Sequence, residues 1–67
     1  MIRGVVESFD DARGYGLVRD GNDVGFFLHC VEIADGTRTI AVGTRVEGER
    51  RVGRLGHDEI ARVSPSG

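Results

Sequence analysis

The sequence predicts an all-β domain, a five-stranded antiparallel barrel. Apolar residues recur in short Val-, Ile- and Phe-rich runs without helical periodicity, and eleven glycines are spread among them as turn signals. The chain has only 67 residues, and a domain of that size buries only about 60% of its unfolded surface. Five short strands are therefore best stabilised by closing into a barrel, which removes exposed sheet edges.

The strand boundaries follow from the alternating runs and the turn residues between them. The predicted strands cover residues 2–9, 15–19, 24–29, 44–52 and 59–64. Residues 20–23, with the sequence Asp-Gly-Asn-Asp, predict a tight hairpin turn. Residues 31–34 fit one short helical turn, which Asp-Gly at 35–36 ends before a long loop. A further turn is predicted at 53–56, and Pro65 is expected to stop the last strand.

Chain length and composition limit the classes of function. We expect one domain, residues 1–64, with a short tail at 65–67. A deep, dry active site needs a longer chain, so we expect no enzymatic activity, no cofactor and no small-molecule substrate. The single cysteine, Cys30, excludes an internal disulfide, and no apolar run approaches the roughly 18 residues that span a membrane. A cytoplasmic location without membrane attachment is therefore expected.

The charge balance argues against a nucleic-acid binder that relies on its overall field. Nine arginines, no lysine and eleven carboxylates give a net charge of −2, whereas such binders are usually basic. Arginine does stack on bases and bind phosphates through two parallel hydrogen bonds. A local binding surface therefore stays compatible with this composition.

Strand alternation divides the second and third predicted strands into two faces. The more uniformly apolar face, assigned to the core, contains Val18, Phe26 and Leu28. The outward face contains Tyr15, Leu17, Phe27 and His29, flanked by Arg13 and Arg19. Stacking of a base on an exposed aromatic ring contributes about 1–3 kcal/mol and tolerates any base. The outward face is therefore a candidate surface for single-stranded nucleic acid.

Three motifs in the right order resemble the cold-shock domain family, as a divergent member of the bacterial cold-shock proteins. They are GVVESF at residues 4–9 for the family's Gly-x-Val-Lys-Trp-Phe, RGYGLV at 13–18 for Lys-Gly-Phe-Gly-Phe-Ile, and FFLHC at 26–30 for Val-Phe-Val-His-Phe. The resemblance covers nearly the whole chain. It implies a Greek-key barrel of the OB-fold type and binding of single-stranded RNA or DNA, as an RNA chaperone or transcriptional regulator.

The resemblance also implies roles for individual residues. Phe9, Tyr15, Phe27 and His29 would stack on bases, and Arg13 would lie near a phosphate. Leu17 occupies the second ring position of the glycine motif and joins the candidate site. Alternation alone leaves Phe9 at either the barrel rim or the core.

Several positions depart from the family pattern. The family's lysine is replaced by Glu7. Its aromatic residues are replaced by Ser8, Leu17, Cys30, and Thr37 or Arg38. If each lost stacking partner costs about 1 kcal/mol, four losses weaken binding by roughly two to three orders of magnitude. Glu7, Asp10 and Asp11 add charge that repels phosphates. Low affinity is therefore expected. The alternative is a protein-interaction module or homodimer, with Tyr15, Leu17, Phe27 and Cys30 as its apolar patch.

The other chemically notable residues carry weaker signals. His29, Cys30 and His57 lack zinc-like spacing, so no metal site is expected. Arg38, Arg45, Arg50, Arg51 and Arg54 form either a basic rim or, the interpretation that we favour, a solvated strand face. Gly48 marks a hole or a bulge in the fourth strand. In that strand Arg50 and Val52 share the inward parity of Val46, which Arg50 tolerates only near a barrel mouth.

Overall fold

The computed structural model describes residues 1–34, 36–53 and 57–66. Within these ranges the chain forms five strands and a 3-10 helix, which are β1 (Ile2–Asp10), β2 (Tyr15–Asp20), β3 (Gly25–His29), the helix Cys30–Glu32, β4 (Arg45–Val52) and β5 (Asp58–Pro65). Every strand end lies within one residue of its predicted position. The 3-10 helix begins one residue earlier than the predicted helical turn. Part of the predicted turn at 53–56 lies outside the described residues.

The strands close into a barrel in the order β1-β2-β3-β5-β4, which confirms the predicted fold class. Four of the strand pairs are antiparallel, whereas β3 and β5 pair in parallel at Phe27 and Glu59. The long connection after β3 places β4 beside β1. Strand β5 then lies between β4 and β3 and closes the barrel. This parallel seam brings the start of β5 next to the outward face of β3.

The hairpin between β2 and β3 forms at the predicted Asp-Gly-Asn-Asp sequence. The Asp20 Oδ1 atom accepts hydrogen bonds from the backbone N–H groups of Asn22 and Val24, each 2.9 Å long. Asp23 adopts a left-handed conformation with φ of 65°, which aspartate tolerates better than most residues. This turn sets the register that pairs Leu17 with Phe27.

The core fills the barrel with aliphatic side chains and one phenylalanine. Its buried members are Val6, Val18, Phe26, Leu28, Ile33, Val46, Ile60 and Val63, each no more than 5% exposed. Val18, Phe26 and Leu28 therefore point inward, as alternation predicted. Partly buried Ile2, Phe9 and Ile40 pack against this cluster.

Gly48 lies opposite a bulge in β5, where Arg62 has a φ of 53°. The pairing register with β5 shifts between Glu47 and Glu49, and a Cβ atom at Gly48 would lie 2.8 Å from Cγ1 of Ile60. Glycine therefore leaves no hole there, because β5 packs directly against its backbone.

Beyond the bulge Arg50 is exposed and Val52 is 78% exposed. Arg50 pairs with buried Ile60, and Val52 pairs with Asp58, so both keep the inward parity of Val46. They are exposed because they lie at the end of the barrel, where an inward-facing arginine is tolerated.

Glu32 joins the 3-10 helix to β4 and β5. Its Oε2 atom lies 2.7 Å from Nη1 of Arg51, and its Oε1 atom accepts a 3.2 Å hydrogen bond from the backbone N–H of Arg62. These two hydrogen bonds, that of Arg51 first, hold the pKa of Glu32 below its ordinary value. The carboxylate therefore fixes three elements at the end of the barrel near the parallel seam.

In the part of the chain that the structure describes, no helix has the length and apolar character needed to cross a membrane.

Candidate nucleic-acid interface

Strands β2 and β3 present a shared outer face that contains four of the predicted site residues. Tyr15 pairs with His29 and Leu17 pairs with Phe27, and side chains of directly paired residues project to the same side of a sheet. Tyr15 and His29 are exposed, and Leu17 and Phe27 are half-buried. We refer to these four residues as the ring face.

Three rings on and beside the ring face make edge-to-face contacts. The centroids of Tyr15 and Phe27 lie 6.3 Å apart with an interplanar angle of 65°. Those of Phe27 and His57 lie 5.6 Å apart at 84°. Phe27 therefore stands at the centre of a row of rings.

His57 is a member of this row that sequence reasoning considered only as a metal ligand. It directly precedes β5, and the parallel pairing of Phe27 with Glu59 carries it to the edge of β3. No local pattern around residue 57 indicates that neighbour. The position of His57 follows from the strand order of the barrel, which cannot be derived from the local sequence.

An open groove of about 230 Å³ runs between β1 and the ring face. Its walls are formed by Ser8, Phe9, Asp10, Tyr15, Gly16, Leu17 and Phe27. Phe9 is half-buried, packs against the core and lines the groove. Phe9 pairs with Gly16, which has the core parity of Val18, so its ring lies at the edge of the core, where the groove opens.

Gly16 on β2 allows β1 to approach closely beside the groove. A Cβ atom at this position would collide with the carbonyl oxygen of Ser8 and lie 2.7 Å from Cδ1 of Phe9. Phe9 is also the pairing partner of Gly16. The absence of a side chain at Gly16 thus makes room for the Phe9 ring.

A bulge in β1 sets which side chains reach the groove. The register with β2 shifts between Val6, which pairs with Val18, and Ser8, which pairs with Leu17. Glu7 is the additional residue. It is exposed, and its Oε2 atom lies 2.8 Å from Nη2 of Arg19.

Arg13 lies in the loop between β1 and β2. Its side chain is exposed, and its Nε atom is 3.8 Å from Oδ2 of Asp10, which is longer than a hydrogen bond. The other oxygen of Asp10 accepts from the backbone N–H groups of Ala12 and Arg13, at 3.0 and 3.1 Å. Asp10 therefore organises the loop while leaving the Arg13 guanidinium accessible beside the groove.

Most of the described arginines are close to carboxylates. Ion pairs within 4 Å involve Arg3, Arg13, Arg19, Arg50, Arg51 and Arg62. Arg50 pairs with Asp58 at 2.8 Å and Arg51 with Glu32 at 2.7 Å, which supports the solvated-face interpretation for these two residues. Among the described residues, Arg38 and Arg45 have no carboxylate partner; Arg54 lies outside the described ranges.

Cys30 follows β3 and packs against the loop before β2. Its backbone N–H donates a 2.8 Å hydrogen bond to the carbonyl of Gly14. Its sulfur lies 3.0 Å from where a Cβ atom of Gly14 would stand, and the residue is half-buried. Cys30 therefore supports the loop that presents Arg13 and Tyr15.

The closed five-stranded barrel is the architecture of a class of small β-barrels that bind nucleic acid. The family model described as the "Cold-shock" DNA-binding domain matches residues 2–64. The chain belongs to the cold-shock domain family, a family of nucleic-acid-binding domains. No curated protein matches the chain.

Proposed function

We propose that this domain binds single-stranded RNA or DNA on the ring face and acts as an RNA chaperone or transcriptional regulator. Bases stack on Tyr15, Phe27 and His29, while Phe9 and Leu17 form the apolar wall of the groove. Arg13 binds a phosphate beside it. The function requires no chemical step, because holding bases apart from their complements is enough to keep a strand single.

The central position of Phe27 supports this proposal most directly. Its ring lies between those of Tyr15 and His57, so successive bases find a continuous set of ring surfaces. The contacts are edge-to-face, an arrangement that aromatic pairs favour and that fixes ring orientation before a ligand arrives. Little ordering free energy is then lost on binding.

We also propose that the affinity is low. Glu7 holds Arg19, and Asp10 lies in the wall of the groove. Both features reduce the positive charge available to phosphates, and phosphate neutralisation supplies much of the affinity in such complexes. The replacement of aromatic residues by Leu17 and Cys30 removes stacking surface as well.

The alternative, an apolar docking surface for a protein or a second copy of the domain, has less support. Cys30 is half-buried against Gly14, and Leu17 is half-buried in the groove. The most exposed large apolar side chains, Met1, Val31, Val42 and Val52, are not part of the ring face. The continuous apolar patch that such a partner needs is therefore small.

The proposal is tested by titrating labelled protein with short pyrimidine and mixed-sequence oligonucleotides at low and moderate salt while recording amide NMR shifts. We expect shifts concentrated on β2, β3 and residue 57, and weaker binding as salt rises. Phe27→Leu, which keeps apolar volume and removes the ring, should lower affinity at least about fivefold.

Val52→Ala is the matched control, because Val52 is exposed and lies outside the ring face. It should bind as the unsubstituted protein does. The proposal fails if no shifts appear at millimolar oligonucleotide, or if Phe27→Leu and Val52→Ala bind equally well.

A further inference from the structure

Glu59 places a carboxylate at the edge of the ring face. It pairs with Phe27 across the parallel seam, so the two side chains share one side of the sheet. Its side chain is only 21% exposed, and its Oε1 atom lies 3.7 Å from Nε2 of His29. The carboxylate is therefore partly desolvated and lies beside two of the proposed stacking rings, those of Phe27 and His29.

The Glu59 carboxylate keeps its acceptor capacity. The distance to His29 exceeds a hydrogen bond, and among the described residues no donor hydrogen-bonds to the Glu59 oxygens. Arg51, its pairing partner on β4, donates instead to Glu32 at 2.7 Å. Arg51 therefore hydrogen-bonds to Glu32 and not to Glu59, so the Glu59 oxygens can accept hydrogen bonds from a ligand.

A base that stacks on Phe27 presents its edge to such a neighbour. An ionised carboxylate only accepts hydrogen bonds, and its two oxygens match two parallel N–H donors. Guanine offers that pair through N1–H and the N2 amino group. Uracil and thymine offer one N–H between two carbonyl oxygens, which a carboxylate repels, and adenine and cytosine offer one amino group.

We propose that Glu59 makes the ring face selective for guanine, by accepting hydrogen bonds from N1–H and the N2 amino group of a base stacked on Phe27. This inference rests on the proposed function and assigns its base preference. The negative charge of Glu59 also repels phosphates, so it lowers affinity for every strand. Its signature is therefore a ratio of affinities between bases rather than an absolute affinity.

The test measures fluorescence anisotropy with oligothymidines of about seven nucleotides, a length within the range bound by one OB-fold. The central position carries guanine, inosine, adenine or thymine. Guanine should bind about tenfold more tightly than thymine. Inosine, which lacks only the N2 amino group, should fall between them. This comparison uses the unsubstituted protein and does not depend on the folding of a variant.

Glu59→Gln keeps the size of the side chain and removes its charge. It should bring the guanine-to-thymine ratio close to one while raising the affinity for oligothymidine. Glu47→Gln is the control for charge alone, because Glu47 lies on β4 and pairs with Arg3 on β1. It should leave the ratio unchanged.

Equal binding of guanine, inosine and thymine would overturn the guanine inference and leave the proposed function standing. A guanine preference that persists in Glu59→Gln would overturn the role of Glu59. The absence of binding to every oligonucleotide would overturn the proposed function itself and the inference with it.

Discussion

Glu7 and Arg19 join β1 to β2 through an ion pair, with 2.8 Å between Oε2 and Nη2. The hydrogen bond to Glu7, followed by the charge of that carboxylate, raises the pKa of Arg19. Arg19 is therefore always charged, yet its charge is matched by an acid beside the strands proposed to bind nucleic acid. We therefore expect the Glu7–Arg19 pair to lower the affinity for phosphates beside the ring face.

Replacing Glu7 with lysine should strengthen binding of single strands. The substitution removes the nearer of the two carboxylates beside Arg19, the other being Asp23 at 3.8 Å, and adds a second cation. About two more phosphate contacts then become available. Each contact to a single strand steepens the slope of log affinity against log salt by about 0.7, so we expect a slope steeper by roughly one to one and a half. Anisotropy titrations with oligothymidine across a salt series measure this.

Glu47→Lys provides the comparison for that variant, because it makes the same change in net charge next to Arg3, away from the ring face. Its effect on the slope should be much smaller. A Glu7→Lys protein with unchanged or weaker affinity would contradict the electrostatic argument.

Glu32 should make stability depend on acid pH. Its pKa is lowered in the folded protein, so its contribution is complete above the unfolded value of about 4.3 and is lost as pH falls through the lower folded value. Glu32→Gln should therefore cost about 1–2 kcal/mol of unfolding free energy at neutral pH. The difference from the unsubstituted protein should shrink as the pH falls below the unfolded value of Glu32.

Urea unfolding at several pH values measures this difference. The other ionisable groups are common to both proteins, so their contributions cancel when the two free energies of unfolding are subtracted. Glu47 pairs with exposed Arg3 at 3.7 Å, beyond hydrogen-bond distance, and supplies a control. Glu47→Gln should change stability by less than about 0.5 kcal/mol. A Glu32→Gln deficit that is equally large at acid and neutral pH would show that the carboxylate charge is not responsible.

Gly16→Ala should destabilise the domain and disturb the groove together. The added methyl group meets the Ser8 carbonyl and the Phe9 ring, and such overpacking costs about 1–3 kcal/mol. Gly21→Ala is the matched control, since nothing lies within 4 Å of a Cβ atom there. Thermal unfolding compares the two. Equal melting temperatures would mean that β1 moves away from Gly16 at no cost.

The fold could be predicted because turn chemistry and alternation agree along most of the chain. The Asp-Gly-Asn-Asp turn fixes the β2–β3 register, and alternation then separates Val18 from Leu17 correctly. Alternation also gives the inward parity of Arg50 and Val52, which pair with Ile60 and Asp58, but it does not show that this part of β4 lies at the exposed end of the barrel. A glycine in a strand signals a bulge or a close approach without showing which of the paired strands carries the extra residue.

Within the candidate site, only the residues on the two strands of one hairpin could be predicted from the sequence. Tyr15, Leu17, Phe27 and His29 share a face because they lie on two strands joined by a short turn. His57 and Glu59 reach the same face through the parallel pairing of β3 with β5, and no spacing in the sequence encodes that pairing. The capture of Arg19 by Glu7 likewise depends on side-chain conformations rather than on pattern.

The bulge in β1 also bears on how this domain can evolve. Because Glu7 is the additional residue there, its exposed side chain can vary in charge without disturbing the packing of Val6 or Phe9. Substitution at this one position could thus tune nucleic-acid affinity at little cost in stability. Loss of Glu7 altogether would leave Val6, Ser8 and Phe9 opposite Val18, Leu17 and Gly16 as consecutive pairs, so the ladder would become regular while Arg19 lost its nearest carboxylate.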